Sequence, residues 1–88
     1  MTAEEVLALL DRRLRDVLAL DGPISPEARF DADLHADSLD LVEVIEAVER
    51  DLAGRGVVVT LPEEAMRDLV TVDDAARRIA DLAAGGRP

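Results

Sequence analysis

At 88 residues the chain has room for one small domain with a modest core. Twenty acidic against ten basic residues give a net charge of −10, which argues against nucleic acid or an anionic membrane as partner and makes a basic protein surface the natural complement. Without cysteine there is no disulfide, thiol nucleophile or cysteine zinc site, and Phe30 as the single aromatic residue leaves the core to aliphatic side chains.

Thr2 and Glu5 have the spacing of a capping box. Val6, Leu7, Leu10, Leu14, Val17 and Leu18 then recur at helical spacing, and Asp21-Gly22-Pro23 is the expected stop. Glu4, Glu5 and Asp11 interrupt what would be the apolar segment of a signal peptide, and Val57-Val58-Val59 is the longest apolar run outside the helices. A soluble cytoplasmic monomer is expected. Residues 21–36 make a long connection for so small a domain, with Ile24, Phe30 and Leu34 as apolar anchors that predict an ordered loop.

A second helix is predicted from about Ser38 to Leu52. On a 3.6-residue wheel Leu41, Val44, Ile45, Val48 and Leu52 share one arc, while Asp40, Glu43, Glu46 and Glu49 wrap around the remainder. Leu39 falls about 160° from the centre of the apolar arc, among the carboxylates, where a leucine looks like a partner contact. Ala53-Gly54-Arg55-Gly56 ends this helix, and Val57 to Leu61 should be extended because β-branched residues disfavour helix. Pro62-Glu63-Glu64 opens a short helix with Met66 and Leu69 facing inward. Thr71, with Asp74 three residues on, caps a last helix carrying Val72, Ala75, Ala76, Ile79, Ala80, Leu82 and Ala83. The expected fold is all-α, a bundle of three principal helices plus one short one, forming a single domain over 1–84 with a flexible tail at 85–88.

Ser38 is the serine best placed for chemistry. A hydrolase is disfavoured: His35 is the only histidine, it sits three residues away in a loop, and no G-x-S-x-G elbow frames the serine. As a helix N-cap Ser38 would stand exposed where free N–H groups and the helix dipole favour a phosphate. Asp31, Asp33, Asp37 and Asp40 invite a calcium reading. Counted from Asp31, however, the fifth, sixth and twelfth positions of an EF-hand loop fall on His35, Ala36 and Val42, none of which suits it. An acidic helical interaction or divalent-binding module, with Ser38 only a cap, stands as the alternative class.

Phe30 followed by Asp33-Leu34-His35-Ala36-Asp37-Ser38-Leu39-Asp40, then Val42-Glu43, resembles the attachment loop and recognition helix of acyl carrier proteins. Leu61-Pro62-Glu63-Glu64 and Val70-Thr71-Val72, with Asp74-Ala75, are similar to the third helix and fourth-helix cap of that family. The resemblance implies a discrete carrier and no catalyst. Ser38 would accept 4′-phosphopantetheine from coenzyme A through a phosphopantetheinyl transferase, with Asp37 helping to hold the transferase's magnesium. Leu39, Asp40, Glu43 and Glu49 would meet basic patches on acyl-loading and condensing enzymes. The arm's thiol would carry acyl thioesters in fatty-acid, polyketide or related specialised biosynthesis. Aminoacyl and peptidyl carriers share the fold but usually show a glycine pair near the acid-serine pair; Ala36-Asp37 favours an acyl cargo. His35 departs from the family at a usual glycine, Glu46 and Arg50 depart from its apolar and acidic residues, and the segment from Leu52 to Leu61 is longer.

Overall fold

Thr2 opens the first helix, α1 (Ala3–Leu18), by accepting the Glu5 N–H at 3.2 Å, while the Glu5 carboxylate accepts the Thr2 N–H at 3.1 Å. The same reciprocal pair starts α2 (Ser38–Gly54), between Asp37 and Asp40, and α4 (Val72–Ala83), between Thr71 and Asp74. Between them the short α3 (Glu63–Met66) follows Pro62 without a side-chain cap. This computed structural model describes residues 1–85. The expected tail therefore lies outside the described residues, apart from Gly85. The protein is all-α as the patterning predicts, and the β-structure among the described residues is a single antiparallel bridge between Arg29 and Thr71.

α1 packs against both α2 and α4, and α2 touches α3. Leu10 and Leu14 of α1, Val44, Ile45, Val48 and Leu52 of α2, and Val72 and Ile79 of α4 are fully buried, and no polar side chain among the described residues is buried with them. Leu9 and Ala47 are buried as well, though neither belongs to the predicted stripes. A helix wedged between two others buries a wider arc than one facing a single neighbour, and Ala47 lies where α2 faces Arg13 and Val17 of α1.

Two helix ends differ from expectation. α1 stops at Ala19, before Asp21-Gly22-Pro23: Ala19 is left-handed (φ 55°, ψ 48°) and Leu20 N–H reaches the Arg15 carbonyl at 3.0 Å. This is a Schellman turn made without glycine. An L-residue in that conformation costs about 1 kcal/mol relative to glycine, so Ala19→Gly should stabilise the domain by about that much and raise Tm by about 5 °C, read by thermal denaturation. α2 continues past Leu52 to Gly54, and Gly56 (φ 82°) turns the chain so that Val57 N–H bonds the Leu52 carbonyl at 2.9 Å. Beyond it the extended segment alternates as a lone strand would. Val58 is 86% exposed, Val59 and Leu61 are buried, and the Glu49 carboxylate accepts the Leu61 N–H at 2.6 Å.

Polar bonds then tie the elements together. Arg13 on α1 grips Asp51 on α2 with both arms of its guanidinium, Nε donating to Oδ2 at 2.8 Å and Nη2 to Oδ1. That contact holds the Asp51 carboxyl below its ordinary pKa. The N–H groups of Thr71 and Val70 do the same for Asp74, backbone and hydroxyl bonds from Thr2 for Glu5, and the Ser25 hydroxyl for Glu27. A lowered folded-state pKa means that the unfolded chain binds protons first. The stability these groups confer is present above the unfolded carboxylate range of about pH 4 and is lost as pH falls through the lower folded values. Protonation also relieves repulsion at net charge −10, but exposed charges are screened beyond about 8 Å at physiological salt, whereas these bonds act at contact. Tm at physiological salt is therefore expected to fall between about pH 5 and about pH 2, and Asp74→Asn should flatten that slope.

Candidate functional site

The loop that delivers Ser38 is held by backbone bonds to the start of α4. Phe30 N–H donates to the Val70 carbonyl at 3.0 Å, Val72 N–H to Ala28 at 3.0 Å, and Asp73 N–H to Pro26 at 2.8 Å. Phe30 is buried and Ile24 and Leu34 are half-buried, so the three predicted anchors do fix the loop. The chain then coils back on itself: Leu34 N–H bonds the Arg29 carbonyl and Ala36 N–H bonds Phe30 at 2.7 Å, while the Asp33 carboxylate accepts the Arg29 N–H at 2.7 Å. His35, in the position where glycine is usual, takes the left-handed conformation itself (φ 54°). Histidine is one of the residues that tolerates this region better than most.

Ser38 is not the N-cap that its position suggests. Asp37 caps α2 (φ −83°, ψ 179°), its Oδ1 accepting the Asp40 N–H at 2.8 Å while Asp40 Oδ2 accepts the Asp37 N–H at 3.2 Å. A carboxylate one residue earlier satisfies the helix end, so Ser38 becomes the first helical residue. Its hydroxyl is exposed and has no hydrogen-bond partner among the described residues, His35 included. The acids Asp31, Asp33, Asp37 and Asp40 form no metal-holding group among the described residues. Asp37, Asp40 and Asp33 instead spend carboxylate oxygens on backbone N–H groups.

Leu39 is 66% exposed, on the side where the wheel placed it. Glu43 is exposed, and Asp40 is half-buried within the capping pair. Glu49 differs from them, being half-buried with one oxygen bound to Leu61 N–H. Two clefts open at Ser38. The larger, about 400 Å³, runs between α2 and α3 over Leu39, Leu41, Val42 and Met66, with Glu63 and Arg67 completing its wall. The smaller, about 230 Å³, includes Phe30, Asp31, Asp37, Arg29 and again Arg67. Sequence reading passed over Val42, Met66 and Arg67 as neighbours of the serine. Only the packing of α3 on α2 brings them there, and no spacing within either segment signals it.

At the start of α2, then, an exposed hydroxyl without a hydrogen-bond partner among the described residues borders a partly apolar cleft. The family model described as "Phosphopantetheine attachment site" matches residues 8–79. The chain is also similar to a protein named "Acyl carrier protein" from Rubrobacter xylanophilus, 34% identical over 82 residues that cover 92% of this chain and 95% of that protein. The chain belongs to the acyl carrier protein family, and its domain is the family's phosphopantetheine attachment domain. Among the described residues no helix is long and apolar enough to cross a membrane.

Proposed function

We propose that Ser38 carries 4′-phosphopantetheine and that the protein acts as a carrier and not as a catalyst, passing acyl groups between cytoplasmic biosynthetic enzymes. The observation that supports this most directly is the exposed, unbonded hydroxyl, freed by Asp37 taking the cap. Ser38 Oγ would lose its proton and take the phosphopantetheinyl group of coenzyme A as a phosphodiester, with 3′,5′-ADP leaving, on a separate transferase. Asp37 retains a second carboxylate oxygen that could meet the transferase's magnesium. The arm, once bound, supplies a thiol that holds acyl groups as thioesters, in fatty-acid, polyketide or related specialised biosynthesis. The cleft over Leu41, Val42 and Met66 offers an acyl chain an apolar wall. Incubation with coenzyme A and a broad-specificity transferase should add the mass of one arm; an unchanged intact mass would refute the reading.

Partner enzymes with basic patches would dock on Leu39 with Asp40, Glu43 and Glu49. Exposed charges chiefly steer encounter, whereas an apolar contact at the centre of an interface holds the complex. Leu39→Ala should therefore weaken transferase binding by about tenfold or more, mainly through faster dissociation. Glu43→Lys should slow association and reduce its salt dependence, with dissociation little changed. Stopped-flow or surface-binding kinetics separates the two, and equal effects of both variants on association would count against this division.

A further inference from the structure

Two arginines line the clefts at Ser38 without a side-chain ion pair among the described residues. The side-chain ion pairs among the described residues occupy Arg13, Arg15 and Arg77. Arg67 makes none, yet it lines both clefts that meet at Ser38, and Arg29, also without an ion pair, lines the smaller. Glu63 shares the larger cleft with Arg67 but does not pair with it. The setting is otherwise acidic: Asp37 and Asp31 border the smaller cleft, and Asp40 lies at the helix start. The positive end of α2 is already met by the Asp37 carboxylate, which leaves it less able to compensate a further anion. In this acidic setting a cation close by would favour an anion on Ser38, and a guanidinium, planar and always charged, matches phosphate oxygens in pairs.

We infer that Arg67, seconded by Arg29, is the counterion that holds the phosphodiester of the arm against the α2–α3 cleft. The inference rests on the proposal that Ser38 bears the arm. Arg67 directly follows Met66, whose buried side chain fixes that end of α3 in the core. Arg67 thereby reaches the cleft from a backbone position anchored beside it, next to where the arm would leave Ser38. Arg67, which lines the larger cleft as well, would thus bias the arm toward its apolar wall.

The test compares apo and loaded forms of the wild type, Arg67→Gln, Arg67→Glu and Arg29→Gln at low salt, with loading verified by intact mass. Loading should leave the wild-type Tm unchanged or raised. In Arg67→Glu it should lower Tm by about 4 °C, with Arg67→Gln and Arg29→Gln between, and added salt should erase the differences. A second readout needs no variant: the Arg67 Nε–H resonance of the wild type should shift on loading. Equal apo-to-loaded changes in wild type and Arg67→Glu, or an unmoved Arg67 resonance, would overturn the inference while leaving the carrier reading intact. Failure of the wild type to gain the arm's mass would overturn that reading and this inference with it.

Discussion

Ser38→Ala is expected to abolish uptake of the arm completely while leaving the fold as it was. Both halves of that expectation come from the way α2 starts. The hydroxyl has no hydrogen-bond partner among the described residues, so its removal orphans nothing, and alanine suits a helical position. Stability should change by less than about 0.5 kcal/mol, as for an exposed position without special contacts. Asp37→Ala should behave in the opposite sense. It removes the cap from the Asp40 N–H and should cost about 1 kcal/mol, while Ser38 remains available to be loaded, more slowly. Intact mass after transferase treatment, paired with urea denaturation, reads both quantities. Loading that persists in the alanine variant would place the attachment elsewhere.

Ile45→Ala should remove a large share of the domain's stability. Ile45 is fully buried at the middle of α2, in a core built from leucine, isoleucine and valine. Removing its outer carbons loses burial and leaves a cavity that helices pinned on several sides can close only in part. The expected loss is about 3 kcal/mol, against a total of about 4 to 13 kcal/mol for a chain of this length. Val58→Ser supplies the contrast, since that valine is 86% exposed and its loss should cost next to nothing. In urea titrations the midpoint should fall steeply for Ile45→Ala at unchanged slope and stay put for Val58→Ser. Similar midpoints would mean that α2 is not the spine of the core.

Much of this architecture is readable from residue patterns because the signals are local. Thr2 with Glu5 and Thr71 with Asp74 are reciprocal caps separated by three residues, and both form. The exposure of Leu39 follows from helical periodicity alone. What escaped is set by competition or by tertiary packing. Asp37 and Ser38 can each cap a helix; the aspartate wins because Asp40 stands three residues on to return its bond. Ala19 ends α1 ahead of the more evident Asp21-Gly22-Pro23. The burial of Leu9 depends on α1 having two neighbours, which its own sequence does not encode. Glu49 looks on the wheel like one more surface acid, yet its bond to Leu61 N–H depends on where the extended segment returns. Arg67 is the extreme case: an ordinary surface arginine in sequence, and a neighbour of the serine once α3 has docked.

The bond between Glu49 and Leu61 also divides the chain between α2 and α4 into two territories. From Val59 onward the backbone is tied down, by burial of Val59 and Leu61 and by that carboxylate. Before it, Ala53, Gly54, Arg55, Gly56 and Val58 are all exposed, and neither Gly54 nor Gly56 has a neighbour within 4 Å of where a side chain would begin. The serine loop takes its support from Val70 and Val72 instead. The bonds that support Ser38 lie elsewhere, so the exposed bend at Arg55, with the closing bonds from Arg55, Gly56 and Val57 to Leu52 and Ala53 kept, is the natural place to splice in a peptide tag or a second domain.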